Sequence, residues 1–277
     1  MSLWYGFFPG ESERVVNLLF FGDVVGKPGR RALARFLPEL VERHDVDLVS
    51  VNVENAAGGF GLTVDIYHEL CGLGIDVLTS GNHIWDKKDL VPKVGELDHL
   101  LRPANFPPRA PGRGAIILDS RDGPVAFLNL AGRVFMPPVD CPFRTADQEL
   151  AQLGSEVRMI VVDFHAEASS EKKALAVYLD GKVSAVLGTH THVPTADECI
   201  LPAGTAFVTD VGMIGPVNSV IGMKAKGALD RFLTGVPHPF EVASGPVLLL
   251  GLLVSIDPAT GKALSVQRLQ RILDAGG

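Results

Sequence analysis

The chain has 277 residues, of which 47% are hydrophobic and 21% charged, with 25 Lys plus Arg against 32 Asp plus Glu and a formal charge of -7. That balance excludes a disordered or collagen-like protein. It also leaves no basic surface for non-specific capture of a nucleic-acid backbone, so any nucleic acid would have to be held locally. Three widely spaced cysteines, Cys71, Cys141 and Cys199, fit a reducing cytoplasm better than a disulfide framework.

Residues 1–15 read as an N-terminal extension. Their apolar patch is interrupted by Pro9 and by charged Glu11, Glu13 and Arg14, without the basic start and small-residue cleavage site of a signal peptide. Residues 16–277 read as one continuous domain. Short apolar runs alternate with amphipathic ones: strand at Val15 to Phe21, helix at Arg30 to Val41, strand at Leu48 to Val53, helix at Val64 to Leu73, strand at Val77 to Thr79. This βαβαβ order predicts a largely parallel sheet covered by helices. Asp86-Lys87-Lys88-Asp89 reads as a solvated helix start.

After a turn-rich stretch, Ala115 to Leu118 and Pro124 to Leu130 read as a hairpin joined at Asp122-Gly123. A helix at Thr145 to Leu153, a strand at Met159 to Phe164, a helix at Ser170 to Leu179 and a strand at Val183 to Leu187 resume the alternation. The remainder predicts mostly antiparallel strands at Cys199 to Leu201, Thr205 to Val208, Pro246 to Ile256 and Leu264 to Ile272, with a helix near Lys224 to Phe232. Pro246 to Ile256 falls far short of the roughly 18 to 20 residues that span a bilayer, so no membrane segment is expected.

Polar residues cluster where these strands end. Asp23 follows NLLFFG, Glu54-Asn55 follow LVSVNV, Asn82-His83 follow VLTSG, His165 follows MIVVDF, and His190 and His192 follow SAVLGT. The carboxyl edge of a parallel sheet is where catalytic groups converge. Singly, Asp23 reads as an Asx turn or helix cap, Glu54-Asn55 as a polar loop and His165 as a structural histidine. His190 and His192 are harder to read so, because residues two apart in extended chain share a face. One metal site explains all five placements, and its oxygen and nitrogen ligands suit iron, manganese, zinc or cobalt. The glycines of Gly22 to Lys27 mimic a phosphate loop, but the spacing is one residue short and Pro28 stands where the hydroxyl belongs.

At GNHIWD (Gly81 to Asp86) and GTHTHVPTAD (Gly188 to Asp197) the sequence resembles the calcineurin-like metallophosphoesterases. Val25 stands where that superfamily carries a histidine two residues after its first aspartate, and Glu54-Asn55 replaces the usual bridging-aspartate region. With FGDVVGKPGR and RPANFP, these departures resemble the YmdB-like bacterial subgroup. The resemblance implies an α/β fold, a four-layer αββα sandwich with two mixed sheets. It implies a cytoplasmic phosphodiesterase acting on small phosphodiesters including 2′,3′-cyclic nucleotides, with RNA-derived substrates and a homo-oligomer compatible.

By position, it implies that Asp23, Asn55 and His192 hold one metal, Asn82, His165 and His190 a second, with Glu54 bridging and His83 as general acid. Iron or manganese is expected, with zinc, cobalt or magnesium compatible. Two such ions would share a water, lower its pKa and aim it at phosphorus. A di-metal amidohydrolase and a nonenzymatic metal-binding regulatory scaffold remain the competing readings.

Overall fold

The computed structural model describes residues 15–274; most of the expected extension, and the last three residues, lie outside the described residues. Alternation along the strands builds the architecture. In β1 (Val16–Phe21), Leu18 and Phe20 face one way while Leu19 and Phe21 face the other, and all four are buried. The same two-sided burial holds in β3 (Leu48–Asn52), β7 (Met159–His165) and β8 (Ala185–Thr189), so each strand must be covered on both faces.

Two sheets satisfy that demand. The first has the order β2 (Asp23–Val24), β11 (Met213–Pro216), β12 (Val247–Ile256), β1, β3 and β4 (Val77–Thr79), with β13 (Ala263–Leu273) also pairing β12. The second runs β5 (Ala115–Ser120), β6 (Gly123–Ala131), β7, β8, β10 (Ala206–Val208) and β9 (Cys199–Ile200). Each is mixed: β1–β3–β4 and β6–β7–β8–β10 are parallel, whereas β1–β12, β12–β13, β5–β6 and β9–β10 are antiparallel.

One apolar cluster fills the space between the sheets, with Leu18, Phe20, Leu252 and Val254 on one side and Phe127, Val161, Leu187 and Val208 on the other. A second packs α1 (Gly26–Arg43) and α2 (Val64–Cys71) on the outer face of the first sheet, and a third packs α3 (Pro142–Gln152) and α4 (Ser169–Leu179) on the second. This is the four-layer sandwich the resemblance implied. The fifth helix, α5 (Ala225–Thr234), lies apart from those layers, burying only Ala228.

Three local readings need correction. Residues 82–93, expected to begin a helix near Asp86, form linked turns closed by bonds such as Asp86 N to His83 O and Leu90 N to Lys87 O, leading only to a 3-10 turn at Val94–Glu96. Pro92 contributes no amide that would extend a helix. The hairpin turn is displaced by one residue, since Ser120 pairs with Gly123 and leaves Arg121-Asp122 as the loop. Finally, α1 begins at Gly26 rather than Arg30, with Pro28 in its first turn, where a missing amide goes unused.

Candidate metal centre and active site

The site forms at one edge of both sheets. Asp23 is fixed by the two-residue strand β2, whose pairing with Met213 in β11 was not foreseen. Glu54 and Asn55 leave β3, Asn82 and His83 leave β4, His165 ends β7, and His190 and His192 follow β8. The structure brings together all seven residues expected as ligands. Gly81 makes the approach possible, because a Cβ there would collide with His165 and with Glu54 Oε2.

Around His165 the donor set consists of facing acceptors. Its Nε2 lies 3.0 Å from Glu54 Oε1, 3.2 Å from Asn82 Oδ1 and 3.0 Å from His190 Nδ1. Thr189 Oγ1 donates to Asp163 at 2.7 Å, so His165 Nδ1 supplies the proton in its own 2.9 Å contact with Thr189 Oγ1. His190 Nε2 faces Glu167 Oε2 at 3.1 Å and donates to it. With their outer nitrogens holding protons, both imidazoles turn their inner nitrogens toward one point, together with a carboxylate and an amide oxygen. In the metal-free protein a proton on His165 Nε2, facing Glu54 Oε1, satisfies that point, and a metal ion would take the proton's place. The donor atoms of Glu54, His165 and His190 lie within 4.8 Å of one another, a cluster able to hold a metal ion.

The neighbouring set is built alike. His192 Nδ1 donates to Ile221 O at 2.9 Å, leaving Nε2 bare 3.2 Å from Asn55 Oδ1, while the Asn55 amide nitrogen donates to Gly59 O. Asp23 Oδ2 accepts from His190 N at 3.0 Å, but its buried Oδ1 has no hydrogen-bond partner among the described residues and sits 4.0 Å from His192 Nε2. An orphaned buried carboxylate oxygen facing an imidazole lone pair and an amide oxygen fits a metal ligand set.

The electrostatics agree. Burial opposes charge on His165, yet Glu54, Asp23 and Asp163 outweigh it and raise the imidazole to about 9. Glu54 is likewise penalised by burial but pulled down to about 2, chiefly by His165. His190 falls to about 3 through burial and the neighbouring His165, and burial raises Asp23. The carboxylates thus demand positive charge where the nitrogens converge.

His83 stands slightly outside. Its amide donates to Glu54 Oε2 at 3.1 Å, its Nδ1 donates to Asp86 Oδ2 at 2.8 Å, and its ring meets Phe60 edge-on at 5.0 Å between centroids. Asp86, taken from sequence for part of a solvated helix, is therefore a partner of the site. His83 lines a cleft of about 340 Å³ together with Glu54, Asn55, Glu167, His190 and His192 and with apolar side chains.

Two supports escaped the sequence reading. Asp163, raised to about 6 by burial, accepts from Thr79, Asn52 and Thr189 and so orients His165. Lys172 and Asp210, both buried, form a 2.7 Å ion pair; Lys172 also donates to Thr189 O, and Asp210 Oδ2 accepts from Thr191 N at 3.1 Å. That pair grips the loop in which His190 and His192 adopt φ of 100° and 64°. A polar residue just past β10 was the available signal for Asp210.

Paired mixed sheets with imidazoles and carboxylates meeting at one edge define a metallophosphoesterase-like α/β sandwich. Comparison with known proteins narrows the class: the chain belongs to the YmdB-like protein family, whose pattern matches residues 19–269. It is 46% identical over 254 residues, 92% of this chain and 96% of the relative, to a 2′,3′-cyclic-nucleotide 2′-phosphodiesterase of Bacillus subtilis. The solved structure of a novel phosphatase from Mycoplasma pneumoniae superposes with a TM-score of 0.90 at 33% identity, covering 96% of each chain. A hypothetical protein from Thermus thermophilus superposes with a TM-score of 0.88 at 42% identity, covering 93% of this chain and 99% of that one.

Proposed function

We propose that the protein is a metal-dependent phosphodiesterase whose substrates include 2′,3′-cyclic nucleotides. The observation that carries the reading is the pair of adjoining sets of imidazole nitrogens and carboxylate and amide oxygens, one of them with an orphaned buried carboxylate oxygen, in a chain 46% identical to a 2′,3′-cyclic-nucleotide 2′-phosphodiesterase. Asn82, His165 and His190 would hold one ion, Asp23, Asn55 and His192 the other, with Glu54 shared between them. Iron or manganese suits this oxygen-rich set, with zinc, cobalt or magnesium compatible. Bound there, two divalent ions would supply Lewis-acid charge to the phosphoryl group and lower the pKa of the attacking water.

The chain's own residues do the rest. Asp23 and Glu54 offset about half the charge of two divalent ions, leaving roughly +2 to receive a phosphodiester anion. His83 delivers a proton to the leaving alkoxide from Nε2, the nitrogen that Asp86 leaves free, while the Nδ1 bond to Asp86 orients the ring. Among the described residues no Lys or Arg lines the cleft. Arg30 is held by Glu69 and Ala56 O, and Arg102 folds onto the carbonyls of Pro103 and Ala104. A monoester dianion therefore lacks side-chain counter-charge, and a singly charged diester fits better.

Residues 16–277 act as one catalytic domain in this reading, in the cytoplasm. The free state of Cys71, Cys141 and Cys199 supports that location. Among the described residues no helix is long and apolar enough to cross a membrane. Elemental analysis combined with kcat/KM for 2′,3′-cyclic AMP, 3′,5′-cyclic AMP, bis(p-nitrophenyl) phosphate and p-nitrophenyl phosphate tests the proposal. Metal-dependent preference for diesters supports it; dominant monoesterase activity overturns the diester assignment, and full activity without metal overturns the metal assignment.

A further inference from the structure

The cleft that receives the metal-site side chains has a second wall of different chemistry. Beside Glu54, Asn55, His83, His190 and His192 it is lined by Phe60, Val220, Ile221, Met223, Ala228, Phe232 and Phe240. Phe60 and Phe240 lie 6.2 Å apart between ring centroids at an interplanar angle of 37°, and Phe232 at the rim is 82% exposed. The wall is built in. Met223 bridges to Val220 and to Val242, packs so closely on Gly59 that a Cβ there would strike its methyl group, and is buried. Ile221, in a left-handed conformation at φ 45°, gives its carbonyl to His192 Nδ1, so one hydrogen bond fixes both the wall and the proton placement of a metal-site imidazole.

We propose that Phe60, Val220, Ile221, Met223, Phe232 and Phe240 form the subsite for the nucleobase of the substrate, recognised by stacking rather than by hydrogen bonds. The assignment rests on the phosphodiesterase reading of the same cleft. A 2′,3′-cyclic nucleotide carries its base one ribose away from the phosphate, so a base subsite must adjoin the metal centre within a single cavity, as this wall does. The occupant beside the phosphate is uncharged, because among the described residues neither Lys nor Arg lines the cleft, while Glu167 does; Arg231, 5.3 Å over the Phe240 ring, is not among the lining residues. It is flat and apolar-faced, because aromatic rings and aliphatic side chains supply no strong donor or acceptor. It is a single nucleotide rather than a longer strand, since about 340 Å³ lies near the low end of pockets that enclose drug-sized ligands, about 300–1,000 Å³. Stacking tolerates every base, because each has a π-face.

The test compares the metal-loaded protein on 2′,3′-cyclic AMP, 2′,3′-cyclic GMP and the 2′,3′-cyclic phosphate of methyl riboside, which has the same reacting group without a base. The expected kcat/KM ratio of nucleotide to base-free compound is about 5- to 150-fold, the range of one base–aromatic stack, and arises mainly in KM. Adenine and guanine, whose hydrogen-bonding edges are opposite in pattern, should differ by less than about tenfold. Phe240→Leu should collapse the ratio toward one, and Phe240→Trp should retain it, which separates loss of an aromatic face from loss of folding. A wild-type ratio near one, with both compounds cleaved, overturns the subsite while leaving the phosphodiesterase reading standing. Strong discrimination between adenine and guanine overturns recognition by stacking. Cleavage of neither compound overturns the phosphodiesterase reading itself, and the subsite with it.

Discussion

His165 and the His190–His192 pair reach the same centre by different means. His165 is the last residue of a seven-residue strand, buried on all sides and paired in register with Ala131 and Thr189. Its place follows from the sheet, and no unusual backbone conformation is required. His190 and His192 lie past the end of β8 with positive φ, a conformation that costs non-glycine residues about 1–3 kcal/mol each and persists only where the surroundings enforce it. The enforcement comes from the buried Lys172–Asp210 pair, which holds the carbonyl of Thr189 and the amide of Thr191. A strand end positions a site residue through regular pairing; a loop needs a clamp from elsewhere in the chain.

The strongest way to break the contrast is to remove the residue assigned to both ions. Glu54→Ala should strip metal from the strand-held and loop-held sides together and reduce kcat/KM to background, with elemental analysis as the check; full activity and two retained ions would refute the bridge. His83→Ala sharpens the contrast by touching neither side. It should lower kcat about 100- to 10,000-fold on 2′,3′-cyclic AMP, less for a p-nitrophenolate leaving group, with metal content unchanged.

Asp210→Asn should act on the loop alone. Weakening the clamp should reduce metal affinity about 10- to 100-fold, and the unpaired buried Lys172 should destabilise the fold by about 3–5 kcal/mol, read by denaturant titration. A Lys172→Met, Asp210→Leu double variant should recover part of the stability but not the affinity, because the loop bonds stay lost. Unchanged affinity in both variants would show that the loop holds its shape unaided.

The last effect, on pH dependence, belongs to His165. In metal-free protein its imidazole titrates at about 9, above the ordinary 6.5, so an incoming ion must displace a proton. Apparent affinity should rise by up to about tenfold per pH unit between about pH 6.5 and 9 and level off above. Glu54, held at about 2, and His190, at about 3, carry no competing proton there. Metal titrations of stripped protein that are flat over this range would contradict the proton competition at His165.

The strand-held part was the legible part. Short, nearly continuous apolar runs ending in Asp23, Glu54, Asn82 and His165 announced both the sheets and the residues at their edge, since each signal is local. β11 is four residues long and takes its identity from pairing with Asp23 and with Val247, nearly 200 and about 30 residues away, so no local pattern marks it. Lys172 sits within a helix that reads as amphipathic and solvent-facing until Asp210 arrives from the loop after β10 to pair with it. Asp86 looked solvated for the same reason: its partner is an imidazole held by the turn, and charge alone cannot distinguish that from water.

The order of strands in the first sheet also has a temporal side. β1, at residues 16–21, has β12, at residues 247–256, as a neighbour, and β2 reaches β12 only through β11. Every strand of the second sheet, by contrast, is encoded between residues 115 and 208. During synthesis from the N-terminus the second sheet can therefore close first, with His165 and the His190–His192 loop already drawn to its edge. Asp23 acquires its sheet support only after β12 has left the ribosome, so the centre is completed from opposite ends of the growing chain.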